Sequence, residues 1–143
     1  MEHNIKILEH GDTQQLKACF RVFASLRPHL DEGAFVSQAG KQQAEGYNIA
    51  YIEKEGQVVA AAGYRVAHFL AWGKVLYIDD LITHPDEIRQ GFGGAILGWL
   101  IEQAKRMGCD QVHLDTGHQR HEAHRLYLNH GFRLASHHMS LEL

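Results

Sequence analysis

The chain has 143 residues, a length that suits one domain with one hydrophobic core. Its hydrophobic share of 45% and charged share of 22% are ordinary for globular proteins, and a formal net charge of -3 with a pI near 6.4 indicates no basic surface for nucleic acid. Two cysteines, no apolar run of the roughly 20 residues that cross a bilayer, and an N-terminus without signal-peptide features predict a reduced, cytoplasmic protein with no membrane segment.

The first half of the chain predicts two helices and an antiparallel hairpin. Residues 5–8 form a short strand, a helix starts after Asp12 and ends near Pro28, and a second, more polar surface or lid helix covers residues 32–44. Residues 47–53 and 58–66 alternate in the manner of strands around a turn at residues 54–57. A further strand is predicted over residues 75–83.

The second half predicts a strand-helix-strand unit with parallel strands. Apolar residues recur with a helical period over residues 92–107, Gly108 follows as the expected end, and residues 111–115 form the next strand. Residues 121–129 predict another helix ended by Gly131, and residues 132–136 and 137–143 supply the last strand or two. This order predicts an α/β fold with a mixed sheet.

The turn between the strand over residues 75–83 and the following helix is rich in glycine. Gly91, Phe92, Gly93 and Gly94 occupy the first turn of that helix, where backbone N–H groups lack intrahelical partners and side chains do not block them, which favours a bound phosphate. A dinucleotide site requires another glycine spacing near the first strand of a parallel sheet, and a P-loop requires Gly-Lys-Ser/Thr. Neither nucleotide pattern fits.

Two motifs in this order resemble the GNAT superfamily of acyl-coenzyme A dependent N-acyltransferases. The family's phosphate loop reads Gln/Arg-x-x-Gly-x-Gly/Ala; here Gly91 and Gly93 match, while Ile88 holds the leading position. Downstream, the family's Ala-x-x-Leu-Tyr-x-x-x-Gly-Phe is matched in full over residues 123–132, although Arg120 stands where the family often has Asn. The resemblance covers the whole chain.

The resemblance implies one GNAT domain over residues 1–143. The implied α/β fold has a mixed central sheet of six or seven strands and about four helices, with an antiparallel first half, a parallel strand-helix-strand centre and a splayed cleft. Family members often pair, so the resemblance also favours a homodimer, for which the final strand offers a surface.

The resemblance implies transfer of an acetyl group from acetyl-coenzyme A (acetyl-CoA) to a primary amine of a small molecule or peptide by direct attack, without a metal. Tyr127 occupies the family's general-acid position. The implied coenzyme A (CoA) contacts fall on two groups of residues: for the pantetheine arm Leu81, Ile82 and Thr83, and for the pyrophosphate Arg89, Gln90, Gly91, Phe92, Gly93 and Gly94.

Two adjacent carboxylates, Asp79 and Asp80, are candidates for the base that deprotonates the amine. Strand alternation places them on opposite faces, and the face of Asp79 matches the one on which relatives place a base. Asp80 is the competitor, with the alternative that it only pairs with Arg120 or Arg125. If both carboxylates face the cleft, its acidity favours a cationic acceptor such as a polyamine, aminoglycoside or lysine side chain.

Twelve histidines are present, and seven of them lie between His113 and His138. The three-residue spacing of His118, His121 and His124 does not bring all three to one side of a helix, so a metal site is not predicted. Cleft positions that could touch the substrate are Tyr77, Arg120, His124 and either His137 or His138, of which His138 is preferred. Two other functions stay open: a non-catalytic CoA-binding sensor of the same fold, and a metal-dependent hydrolase.

Overall fold

The structure, a computed structural model, describes residues 4–143 and contains five strands and four α-helices. The elements follow in the order β1 (Ile5–Ile7), α1 (Thr13–Leu26), α2 (Glu32–Ala44), β2 (Asn48–Lys54), β3 (Gln57–Phe69), β4 (Gly73–Thr83), α3 (Phe92–Arg106), β5 (Gln111–Leu114) and α4 (His121–Asn129). A short 3-10 turn, Pro85–Glu87, lies between β4 and α3. The predicted α/β class and the four helices are confirmed.

The sheet has the order β1-β2-β3-β4-β5, and its first three neighbouring pairs are antiparallel. The β2–β3 hairpin turns at Glu55 and Gly56, both of which have positive φ. Strand β3 is longer than the predicted 58–66 because its outer end pairs with the start of β4, where Phe69 faces Gly73. The antiparallel first half of the sheet is therefore confirmed.

Helices α1 and α2 pack against one another, and α1 also packs on β3 and β4. Each helix begins with an aspartate cap: Asp12 accepts the N–H of Gln15 at 3.0 Å, and Asp31 accepts the N–H of Ala34 at 2.7 Å. The helix α1 ends at Leu26 with Arg27 as its cap, because Pro28 comes next and lacks an N–H. The ring of Phe35 on α2 packs between those of Phe20 and Phe23 on α1.

The chain divides into two compact units, one ending at His113 and the other comprising Leu114–Leu143. The prediction of a single domain over residues 1–143 stays a prediction. No helix among residues 4–143 has both the length and the apolar character needed to cross a bilayer.

The predicted strands over residues 132–136 and 137–143 are wrong. Within the described chain these residues form no strand, so the sheet has five strands rather than six or seven. The apolar side chains of this segment, Leu134, Met139 and Leu141, are exposed. A strand is stable only when its backbone groups pair with a neighbour, which the residues of one segment do not supply by themselves.

Candidate active site

Strand β4 contains a bulge at the two adjacent aspartates. Ile78 pairs with Tyr64 and Asp80 pairs with Gly63, so two steps along β4 correspond to one along β3, and Asp79 is the extra residue. A bulge interrupts the alternation of side chains. The prediction that Asp79 and Asp80 point to opposite faces of a regular strand therefore does not hold, and both carboxylates lie near Tyr47, on whose pKa both act.

Asp80 is held by two partners from other elements. Its Oδ1 accepts hydrogen bonds from Arg27 Nε at 3.0 Å and Nη2 at 2.7 Å, and its Oδ2 accepts one from the Tyr47 hydroxyl at 2.6 Å. The arginine that pairs with Asp80 is therefore Arg27, at the end of α1, and the sequence alternatives Arg120 and Arg125 are corrected. The Asp80 side chain is 11% exposed, which leaves part of it accessible.

Asp79 pairs with a different arginine. Arg65 Nε donates to Oδ1 at 3.0 Å and Nη2 donates to Oδ2 at 2.5 Å, a two-pronged geometry that raises the pKa of Arg65 through the hydrogen bonds. Each aspartate is thus paired with its own guanidinium, so each pair has no net charge. The prediction of an acidic cleft is corrected, because the sequence did not show where Arg27 and Arg65 lie.

Tyr47 connects the two ion pairs. Its hydroxyl donates to Asp80, and Arg65 Cζ lies 5.4 Å from the centre of its ring. Burial raises the pKa of Tyr47 well above its usual value, and the negative charge of Asp80 raises it further, so the phenol stays a proton donor. Gly63 makes room for this ring, since a Cβ at that position would overlap the Tyr47 hydroxyl.

A pocket of about 510 Å³ opens on Asp80. Its walls come from the end of α1, the loop to α2, one face of α2, the residue before β2, and β4. The lining residues are Phe23, Arg27, His29, Leu30, Phe35, Gln38, Ala39, Gln42, Tyr47 and Asp80. The helix predicted as a surface or lid segment therefore forms one wall. The sequence analysis did not predict Arg27 and Tyr47 as site residues. The only sequence feature that pointed to Arg27 is its place directly before Pro28, at the end of a predicted helix.

The glycine turn begins at Gly91, eight residues after Thr83, the last residue of β4. Gly91 has φ +83 and caps α3 without a side-chain hydrogen bond, and open space surrounds the position of a Cβ. Gly93 and Gly94 follow in the first turn, whose N–H groups have no intrahelical acceptor by helix geometry. These features fit a phosphate ligand.

The turn before α3 is tied to the β2–β3 hairpin. Lys54 Nζ donates to Glu87 Oε2 at 3.0 Å and to Gln90 Oε1 at 3.1 Å, and Gln90 Nε2 donates to the same Glu87 oxygen at 2.8 Å. Arg89 adopts a positive φ of 66°, which is unusual for a residue with a Cβ. Ile88, at the leading motif position, is half exposed.

The end of β4 extends past its shorter neighbour. Leu81, Ile82 and Thr83 pair with β3 on one side. On the other side, the N–H of Asp110 donates to the Lys74 carbonyl at 2.7 Å, and β5 then has only four residues against the 11 of β4. Strand β5 is therefore too short to pair with β4 along its whole length.

The unit Leu114–Leu143 contains Tyr127, the predicted acid. Its side chain is 6% exposed, its ring lies 5.9 Å from that of Phe132, and burial raises its pKa while the charge of Arg120 acts in the opposite direction. Arg120 precedes α4 as its cap without a side-chain hydrogen bond. The acid role stays a prediction.

The remaining predicted substrate residues have these placements. Tyr77 pairs with Arg65 across β4 and β3. In the second unit, His124 Nε2 lies 2.8 Å from the Gly117 carbonyl oxygen and His138 Nδ1 lies 3.2 Å from Asp115 Oδ1. In the described part of the chain, no three His, Cys, Asp or Glu side chains are grouped so as to hold a metal ion.

Comparison with known proteins identifies one family. The model described as "Acetyltransferase (GNAT) family" matches residues 13–132. The aminoalkylphosphonate N-acetyltransferase of Salmonella typhimurium is 26% identical over 133 residues, which cover 88% of this chain and 84% of that protein. The uncharacterised N-acetyltransferase YhdJ of Bacillus subtilis is 27% identical over 119 residues, which cover 82% of this chain and 84% of that protein.

Solved structures share the fold. The aminoglycoside N-acetyltransferase AAC(6')-Iy in complex with CoA superimposes with a TM-score of 0.83 at 14% sequence identity, over 99% of this chain and 95% of that one.

Proposed function

Since the chain belongs to the acetyltransferase (GNAT) family and is an N-acetyltransferase, we propose that it acetylates a small-molecule primary amine held beside Asp80 in the pocket. The observation that carries the proposal is that Asp80 lies both in the pocket and near the end of β4. It lines a pocket and lies on β4 three residues before the strand ends, ahead of the glycine turn. Asp80 therefore directly precedes the predicted CoA contacts in the sequence.

The donor is acetyl-CoA. It supplies the acetyl group as a thioester. The ammonium nitrogen loses one proton to the base before attack and a second after it bonds to the carbonyl carbon; the carbon–sulfur bond breaks, the sulfur takes up one proton and one proton is released to solvent. The turn from Arg89 to Gly94 fits the pyrophosphate, because Gly91 has the conformation and space for a close ligand and the helix N-terminus favours negative charge. The position of Leu81, Ile82 and Thr83 at the end of β4, which is longer than β5, supports the pantetheine contact.

Asp80 is the proposed acceptor of the ammonium proton, in preference to Asp79. Both oxygens of Asp79 receive hydrogen bonds from Arg65, and Asp79 does not line the pocket. Asp80 does line it, and Oδ2 receives only one of the hydrogen bonds described, from Tyr47, so a lone pair is available for the acceptor's N–H. Asp79 then serves to hold Arg65 against Tyr47.

Tyr127 remains the proposed acid for the departing sulfur. Burial raises the pKa of this phenol, so it keeps its proton through the neutral range and can donate it. The relatives are named as N-acetyltransferases, so they do not favour a non-catalytic CoA sensor. A cytoplasmic location and a homodimer stay predictions from the sequence.

Acetyl transfer to a panel of primary amines, followed through thiol release, tests the proposal. Asp80→Asn should lower kcat/KM by about 10² or more, the size of a lost general base, while Asp79→Asn should cost less because it acts through Arg65. Glu9→Gln, at an exposed side chain that does not line this pocket, is the charge-matched control. Full activity in Asp80→Asn would refute the assignment, and CoA binding without transfer to any amine would favour the sensor.

A further inference from the structure

The pocket carries one negative and one positive side chain in direct contact. Among the residues that line it, Asp80 is the only acid, and it is bound to Arg27. A bound ammonium ion at Asp80 therefore sits next to a guanidinium, which repels any second cation on the acceptor and attracts an anion. To bind such an anion, Arg27 needs N–H groups that are not already used in its bonds to Asp80 and Asp79.

Arg27 has donors to spare. A guanidinium has five N–H groups, and the bonds that it makes here are Nε and Nη2 to Asp80 Oδ1 and Nη2 to the Asp79 carbonyl at 3.3 Å. Those three bonds leave the two N–H groups of Nη1. The side chain is 43% exposed although it lines the pocket, so part of this cation faces solvent-filled space. Each of them can donate a charge-assisted hydrogen bond to an oxygen of a carboxylate or phosphonate.

The other polar groups of the pocket suit the same anion. His29 lies two residues after Arg27 in the loop to α2, and Gln38 and Gln42 are one helical turn apart on the α2 wall. All three can donate hydrogen bonds, and none carries negative charge. The remaining lining is apolar, from Phe23, Leu30, Phe35 and Ala39. No second acid is present in the lining to hold the far end of a polyamine.

From this arrangement we infer that the acceptor is a zwitterion whose amino group binds at Asp80 and whose acidic group binds Arg27. The inference rests on the proposed function and specifies its substrate class. Since Arg27 and Asp80 touch, the two charged groups of the acceptor must also be near one another, separated by about two or three carbon atoms at ordinary hydrogen-bond lengths. Arg27 is the residue that determines this specificity.

Three acceptors of matched length test the inference: 2-aminoethylphosphonate, propylamine and 1,3-diaminopropane, which end in an anion, a methyl group and a cation. The wild-type kcat/KM should be at least about tenfold higher for the phosphonate than for propylamine, and lowest for the diamine. β-Alanine, measured in parallel, distinguishes a carboxylate from a phosphonate preference. Equal kcat/KM values for phosphonate and propylamine would overturn the inference.

The variant Arg27→Gln should bring the phosphonate-to-propylamine ratio close to one, and Arg27→Lys should retain part of it, because lysine keeps the charge but not the planar guanidinium with its five donors. Lys41→Gln removes an exposed charge from α2 that does not line the pocket, and should keep the ratio. The ratio is measured within one preparation, so partial unfolding of a variant does not affect it. A ratio unchanged in Arg27→Gln would refute the role of Arg27.

Failure of the inference is distinguishable from failure of the proposed function. Transfer to all three amines without preference contradicts only the zwitterion. If none of the three is acetylated, the proposed function fails for them, and calorimetric titration of 2-aminoethylphosphonate into the protein with CoA decides the inference. Binding by the wild type that Arg27→Gln weakens at least tenfold supports the anion site, and no binding by the wild type refutes it.

Discussion

Replacing Gly63 by alanine should destabilise the protein and damage the site, although the residue has no side chain and lies in the middle of β3. A Cβ at Gly63 would overlap the Tyr47 hydroxyl and lie 2.6 Å from its Cε1. Tyr47 is buried, so its ring cannot swing into solvent, and its displacement breaks the 2.6 Å hydrogen bond to Asp80. Overpacking costs about 1 to 3 kcal/mol, and a lost hydrogen bond to a charged group about 1.5 to 3 kcal/mol.

The opposing effect is small. Gly63 does not have a positive φ, so alanine would fit its backbone and gain about 0.5 to 1 kcal/mol from reduced freedom of the unfolded chain. The net loss should therefore be roughly 1.5 to 5.5 kcal/mol. Gly98, in α3, is the matched control because a Cβ there meets nothing within 4 Å. Gly98→Ala should stabilise the protein by about 0.5 to 1 kcal/mol, so the two substitutions should have opposite signs.

Urea unfolding monitored by circular dichroism measures both variants, and amine acetylation measures the effect on the site. Tyr47→Phe isolates the hydroxyl: it removes the hydrogen bond to Asp80 but keeps most of the ring that the alanine would strike. Combined with Gly63→Ala it should show a coupling free energy of about 1 kcal/mol or more, because both changes remove the same bond. A Gly63→Ala protein as stable as Gly98→Ala would refute this account of Gly63, Tyr47 and Asp80.

Three further predictions concern the CoA turn, the acid and the thiols. Gly91→Ala places a Cβ at φ +83, which costs about 1 to 2 kcal/mol, so the free turn should relax away from this conformation. Acetyl-CoA must then restore it and should bind roughly tenfold more weakly by calorimetry, whereas Gly11→Ala, strained in the same way far from the turn in sequence, should bind normally. Equal affinities of the two variants would contradict the turn's role. Tyr127→Phe should lower kcat at least about tenfold with acetyl-CoA affinity within about twofold, since burial holds the phenol protonated; full turnover would remove its acid role. Cys19 is buried and desolvation raises its pKa to about 12, so a thiol reagent should modify only Cys109 until the protein unfolds. The stability that the shifted Cys19 pKa contributes should be fully present below pH 9 and lost as the pH rises to about 12. Rapid modification of both thiols in the native protein would contradict the burial of Cys19.

Periodic patterns predicted the helices well because each one carries its own signals. The bounds of α2 and α4 agree with the sequence prediction, and in α2 the cap at Asp31 is local to the chain. The predicted strands over residues 132–143 failed for the complementary reason. A strand needs a neighbour to pair with, which the residues of one segment do not reveal, and Leu134, Met139 and Leu141 are exposed here.

The site illustrates the same division between local and long-range information. The glycine turn could be recognised because its function lies in consecutive residues, whereas the charge of the pocket depends on residues far apart in the chain: Arg27 and Asp80 are 53 positions apart, and Tyr47 and Asp80 are 33 apart. Strand parity failed at Asp79 because a bulge adds one residue to β4 that no side-chain pattern reveals.

That one extra residue also determines the acceptor chemistry that the pocket favours. A regular strand would direct only one of two adjacent carboxylates toward Tyr47. The bulge brings both near it, and two bare carboxylates that close would repel one another and attract a polycation. Arg65 and Arg27 each bind one of them, so the region is close to neutral and only Asp80 remains exposed to the pocket, next to a guanidinium with unused donors. A site with this charge balance discriminates by the tail of the amine rather than by its ammonium group, which all candidate acceptors share.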